Sequence, residues 1–315
     1  MRILIALLLS AAPLVAGAQA MRTIGVLAPH SSDQAYPAFT EMLRKLGYEP
    51  DRNLRIVYRS AEARLERLPA LADELVKAKV ELIVAINTPG AKAAIDATKT
   101  TPIVMSIVGD PVATGFVSNV ARPGGNVTGI SNLSRELAAK RLAVLKEAVG
   151  GSKRIAALLN PADPITVPQI RDVREAAPVL GVEVRFFPVK VPGELPEAFK
   201  QMLAWRADGA LWLSGQGLAF QPETIKLSLK HRFPVMVAQR PDVEAGGLIS
   251  YFPDHVELFR RTAVYVDLIL KGAKPGDLPV ENPTKFELVI NLKTAKALGV
   301  TLPPSLLVQA DRIVK

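Results

Sequence analysis

One segment of this chain occurs twice, and that repetition limits the folds open to it. Thr101-Pro-Ile-Val-Met-Ser-Ile-Val-Gly-Asp-Pro-Val-Ala-Thr-Gly-Phe-Val-Ser118 is matched from Phe233 by Phe-Pro-Val-Met-Val-Ala-Gln-Arg-Pro-Asp-Val-Glu-Ala-Gly-Gly-Leu-Ile-Ser250. Laid together without a gap, Pro102 falls on Pro234, Asp110 on Asp242, Ala113 on Ala245, Gly115 on Gly247 and Ser118 on Ser250. Each copy is a proline-led run of β-branched and apolar residues, the pattern of a buried parallel strand, followed by an acid and a glycine-ended turn. Earlier segments echo as well: Ile24-Gly-Val-Leu-Ala-Pro29 with Ile155-Ala-Ala-Leu-Leu-Asn160, and Glu81-Leu-Ile-Val-Ala-Ile-Asn87 with Asp208-Gly-Ala-Leu-Trp-Leu-Ser214. The expectation is an α/β chain of two doubly wound parallel-sheet lobes. Loops at the carboxyl ends of their strands then face one another across a ligand cleft.

The rest of the chain fits two such units. Its 315 residues suit about two domains, and 49% hydrophobic residues supply their cores. Helical stripes follow the strands at Tyr36–Leu46, Leu65–Val76 and Leu137–Ala148, the last with Ser134 as its expected cap. Asp163-Pro164 and Gln221-Pro222 mark expected helix starts, and Asp254 with Glu257 has capping-box spacing. The helix after Tyr251 and the strand from Phe286 exceed the duplicated set, so they are expected to cross back between lobes. On this reading the first lobe takes residues 21–131 with about 251–273. The second takes 132–250 with about 274–315.

Residues 1–20 are a separate object. Arg2 is a positive n-region, Ile3 to Val15 an apolar h-region, and Ala18-Gln19-Ala20 a small-x-small cleavage site, so a signal peptide cleaved after Ala20 is expected. Export without a cysteine for lipid attachment points to the periplasm. The same 0 cysteines exclude disulfides, thiolate nucleophiles and cysteine-bound metals. A net charge of +9 is spread along the chain with no basic run interleaved with aromatics, so no nucleic-acid partner is expected.

No catalytic set emerges, and neither an enzyme nor a cofactor is expected. His30, His231 and His255 lack metal-ligand spacing, and there is no Gly-x-Ser-x-Gly elbow or phosphate loop. Gly215-Gln-Gly217 resembles a dinucleotide fingerprint, but Phe220 stands where the third glycine belongs. The candidate ligand-binding residues are therefore those of the strand-end loops. They are His30, Ser31 and Ser32; Thr88, Pro89, Gly90 and Ala91; Asp110, Pro111 and Val112; Asn160; Ser214, Gly215 and Gln216; and Gln239, Arg240 and Asp242. His30 reads equally as a ligand contact or a plain loop residue. Asp110 and Asp242 read as turn residues that also touch ligand. Thr88 to Ala91 open a helix at a strand end, where free amides and the helix dipole favour an anion, with Thr88 also able to cap. A carboxylate-bearing ligand is expected on that ground. Trp212 lies near the end of its strand, either turned into the core or sensing the loop above it.

Gly109-Asp-Pro-Val-Ala-Thr-Gly115, Ala121-Arg-Pro-Gly-Gly-Asn-Val-Thr-Gly129, Val243-Glu-Ala-Gly-Gly247 and Pro283-Thr-Lys-Phe-Glu-Leu-Val-Ile-Asn-Leu-Lys-Thr-Ala-Lys-Ala-Leu-Gly299 together resemble one family of exported ABC-transporter substrate-binding proteins. The resemblance implies the type I periplasmic-binding fold, three crossovers and closure around a small molecule. It also implies a monomer serving a cognate ABC permease in the inner membrane. Some relatives bind tryptophan or tyrosine. Thr88-Pro89-Gly90 and Asp110-Pro111-Val112 match their loops, while Ser214-Gly215-Gln216 departs from a more polar one, so the resemblance leaves the ligand open. A ligand-sensing part of a regulator or chemoreceptor shares the architecture, as does an enzyme on a doubly wound sheet.

Overall fold

Near-continuous apolar runs can be buried on both faces only as strands between two helical layers, and this chain forms two such sheets. The computed structural model describes residues 21–30, 35–213 and 217–315. The strands are β1 (Arg22–Ala28), β2 (Leu54–Ser60), β3 (Leu82–Ile86), β4 (Ile103–Val108), β5 (Val127–Ser131), β6 (Arg154–Leu159), β7 (Glu183–Pro188), β8 (Gly209–Trp212), β9 (Val235–Met236), β10 (Ile249–Pro253), β11 (Phe286–Asn291) and β12 (Arg312–Val314). The helices are α1 (Tyr36–Lys45), α2 (Leu68–Lys77), α3 (Asn87–Ala97), α4 (Ser134–Ala148), α5 (Thr166–Val179), α6 (Leu195–Ala204), α7 (Gly217–His231), α8 (Arg240–Glu244), α9 (His255–Leu270), α10 (Leu292–Leu298) and α11 (Pro304–Gln309).

The first sheet runs β2-β1-β3-β4-β5, and the second β12-β11-β10-β9-β8-β6-β7. The order β2-β1-β3-β4-β5 recurs as β7-β6-β8-β9-β10, parallel throughout in both, which is the topological form of the sequence echo. β11 then joins antiparallel to β10, with β12 parallel to it. Each sheet has a core on either face. In the first, one core joins the sheet to Phe39, Leu43, Phe259 and Val266, and the other joins it to Leu71, Leu75 and Ala94. In the second, Leu142 and Leu145 cover one face, while Phe199, Met202 and Phe220 cover the other.

The chain passes between the sheets three times. It leaves β5 for α4, leaves β10 for α9, and leaves Glu281, bridged to Ile130, for β11. α9 belongs with the first sheet: Thr262 bonds Ser106 of β4 at 2.9 Å, and Asp267 accepts the Tyr48 hydroxyl at 3.0 Å. The passages fall after Pro253 and after Glu281, later than the expected 251 and 273, because β10 completes the second sheet and residues 278–281 bond β5. Leu306 of α11 is fully buried in the second core, so the terminal stretch packs on that unit.

Several local expectations are corrected. Ser134 does not cap α4; the side chain of Asn132 accepts the Ser134 amide at 2.9 Å, with Leu133 left-handed at φ 52°. Asp163 precedes α5 by three residues and accepts the Ile165 amide instead of capping. Pro222 lies inside α7, whose start at Gly217 precedes the expected one. Asp254 does cap α9, accepting from the Val256 amide at 2.9 Å.

Candidate functional site

The two copies of the duplicated loop are built one residue out of step. β4 carries a bulge: Ile107 sits at φ 60°, and the pairing with β5 slips between Met105 and Val108. The inserted residue shifts everything after it. Gly115 and Phe116 donate to Val112 and Pro111, and the same helix-end pattern is made by Gly246 and Gly247 to Val243 and Asp242. Gly115, at φ 72°, therefore corresponds to Gly246, at φ 115°, rather than to Gly247. The aspartates part company as well. Asp110 heads its turn, accepting the Val112 and Ala113 amides at 3.0 and 2.9 Å. Asp242 is the third residue of α8, where it closes a capping box with Gln239.

The remaining strand-end candidates are engaged in structure to differing degrees. Thr88 does not cap α3; its hydroxyl accepts the Gly109 amide at 3.1 Å and ties the β3 end to the β4 end. α3 begins at Asn87, so Gly90 and Ala91 lie beyond the first turn, whose amides alone lack intrahelical acceptors. The space a Gly90 Cβ would fill is bounded by the Leu27 carbonyl at 3.2 Å, so this glycine admits a neighbouring strand. That undoes the expected cluster of free amides at Gly90 and Ala91. Pro111 is buried and Val112 exposed. Asn160 is buried and organises its own turn, accepting the Ala162 amide at 3.0 Å. Arg240 pairs with Glu287 at 3.3 Å. His30 is buried at the end of β1. Ser31, Ser32, Ser214, Gly215 and Gln216 lie outside the described residues, as does the 1–20 segment.

These ends face one another across the two sheets. A Cβ on Gly109, at the end of β4, would stand 2.5 Å from Ile165 of the β6–α5 loop, so the units touch there. Arg135 bridges the same gap, donating to Asp110 at 2.9 Å and to Asp172 of α5 at 2.8 Å. These carboxylates raise its pKa. A small cavity lies where Ala35 and His255 of the first unit meet Gln239, Ser250 and Phe252 of the second.

Two polar groups at the strand ends escaped sequence reasoning. Asn87, left-handed at φ 58°, is 2% exposed, and its Nδ2 has no partner among the described residues. Arg141 is 2% exposed, donates Nη1 to the carbonyl of Trp212 at 2.8 Å, and lies 5.5 Å from the Phe252 ring centroid. Burial lowers it to about 10. The signal for Arg141 was its position in α4, in register with Leu137 and Leu145 on the buried stripe. Trp212 itself is fully buried and stacked on Phe220 at 5.2 Å, the core alternative. Among the described residues no cluster of His, Asp and Glu fits a metal ion. The arrangement offers buried donors beside the junction of the two units, which suits capture of a small acceptor-bearing molecule.

Comparison with known proteins agrees. The family model for ABC transporter substrate binding protein matches residues 23–314. A tyrosine-binding protein of Clostridioides difficile is 29% identical over 285 residues, covering 89% of this chain and 81% of its own. A domain from Streptococcus pneumonia solved in complex with L-Trp is 27% identical, with TM-score 0.83, covering 94% of this chain and 100% of that one. A ligand-free, open substrate-binding protein from Clostridium difficile has nearly the same identity and coverage, 26%, 94% and 99%, yet a TM-score of only 0.61. This chain as a whole therefore superposes better on the L-Trp complex than on the open, ligand-free protein. The fold is the type I periplasmic-binding architecture, and the chain belongs to the ABC transporter substrate-binding protein family.

Proposed function

We propose that this protein is the periplasmic receptor of an ABC importer, closing around one small carboxylate-bearing ligand, an amino acid, and delivering it to a cognate permease in the inner membrane. The observation that supports the reading is the family match over residues 23–314, together with the closer whole-chain superposition on the L-Trp complex than on the open, ligand-free relative. Three short passages between sheets form a hinge about which such units swing. The ligand adds contacts to both strand-end surfaces only when they are together, so binding favours the closed form. Nothing in the cleft needs to react. The molecule is held and released unchanged.

Export follows from the 1–20 segment, and the protein acts as a monomer. Two measurements test the proposal. Calorimetry with L-tyrosine and L-tryptophan should give one-to-one binding for at least one of them. N-terminal sequencing of the chain from a periplasmic extract should begin at Met21. Absence of binding to either amino acid would remove the assigned ligand class, and retention of the chain in the cytoplasm would remove the receptor role.

A further inference from the structure

We infer that Arg141 is the anion anchor of the cleft, pairing its guanidinium with the carboxylate of the bound ligand. The inference rests on the receptor reading above and names the group that meets the ligand's charge. Arg141 projects from α4 to the carboxyl end of β8, where the Trp212 carbonyl takes one of its five N–H donors. The Phe252 ring, which also lines the cavity between the units, lies against its guanidinium. Among the described residues Nε and Nη2 have no acceptor, although the side chain is buried. These are adjacent edges of one planar fork, the donor geometry that takes both oxygens of a carboxylate.

A structural ion pair does not account for it. Arg135, Arg240 and Arg261, which are also partly buried, have acids against them: Asp110 and Asp172, Glu287, and Glu281 respectively. Among the described residues, Arg141 meets a carbonyl and a ring. Its pKa is lowered by desolvation, and among the described residues no acid opposes that shift. The buried acid Asp163 is likewise shifted mainly by desolvation, with no arginine contributing. A buried guanidinium with open donors and no counter-charge is unfavourable until an anion arrives. From the other unit Asn87 offers a second unpartnered nitrogen at the end of β3. Both features are donors, so the ligand they fit presents acceptors. This also moves the expected carboxylate site from the Thr88–Ala91 helix start to Arg141.

The test compares the wild type with Arg141→Met, which keeps length without charge, and Arg141→Lys, which keeps charge without the fork. Each is titrated with L-tyrosine, L-tryptophan and their decarboxylated forms, tyramine and tryptamine, and each is melted without ligand. The wild type should prefer acid to amine by at least about tenfold. Arg141→Met should weaken the acid by at least about tenfold and abolish the preference, with Arg141→Lys between. Without ligand, Arg141→Met should melt no lower than the wild type, because it removes an uncompensated buried charge. An acid preference that survives in Arg141→Met overturns the anchor and leaves the receptor intact. A lower ligand-free melting temperature in Arg141→Met overturns it too, marking Arg141 as a strut. If the wild type binds none of the four probes, the amino-acid reading fails and the anchor fails with it.

Discussion

Gly109→Ala should hold the cleft open. Gly109 is fixed on both sides, its amide bonded to Thr88 and its carbonyl to Ser131, so the end of β4 cannot move aside by itself. A methyl there would stand 2.5 Å from Ile165 Cγ1, 2.8 Å from Ile165 Cδ1 and 2.8 Å from Ser134 Oγ. Ordinary carbon contacts lie at about 3.5–4.0 Å, so the overlap is about 1 Å. Ile165 is 1% exposed, which leaves its side chain little room to turn. Overpacking of this kind costs about 1–3 kcal/mol. Because Ile165 belongs to the second unit, opening the hinge relieves the clash without unfolding either sheet. The strain therefore falls on the closed state alone, and apparent affinity should drop by about 5- to 150-fold. Calorimetry with L-tryptophan or L-tyrosine measures that drop. Denaturant unfolding of the ligand-free variant should stay near the wild type. Gly109→Ala combined with Ile165→Ala should recover much of the affinity, since the two changes act on one contact. Unchanged affinity in Gly109→Ala, or a loss that Ile165→Ala does not relieve, would refute the reasoning.

Further consequences follow from individual residues. Burial pushes Asp163 from 3.8 up to about 7, so the folded state holds its proton more tightly than the unfolded chain. That stabilisation is full below about pH 4 and is lost as pH rises to about 7. Asp163→Asn should accordingly raise stability by about 1–3 kcal/mol at pH 8 and by less at pH 5 in urea melts. A gain that is equal at both pH values would contradict the burial account. Asp254→Ala removes the α9 cap to Val256 and should cost about 1 kcal/mol in the same assay. Trp212, whose carbonyl holds Arg141, should carry the ligand-induced change in fluorescence, whereas half-buried Trp205 should not. Trp212→Phe should abolish the change and Trp205→Phe should keep it.

Much of the fold could be read in the sequence because its strands are saturated with Val, Ile, Leu and Ala and its helices are striped. The paired echoes also announced one topology twice. The site was harder to read, for three physical reasons. A bulge leaves no compositional mark, so the slip at Ile107 turned an apparent match of Asp110 with Asp242 into residues with different jobs. Helix starts depend on the backbone of the preceding turn. Left-handed Asn87 began α3 early enough to take Gly90 and Ala91 out of the first turn. Arg141 reads as one more cation on an amphipathic helix until tertiary packing shows that its face is the buried one.

Small-angle scattering tests the central claim, that this chain closes as a hinge around an amino acid. The exported protein, freed of bound small molecules by unfolding and refolding, is measured alone and with each proteinogenic amino acid at saturating concentration. The radius of gyration should fall with at least one of them, L-tryptophan or L-tyrosine first, and should rise again when the ligand is dialysed away. A profile that no amino acid alters would contradict the account.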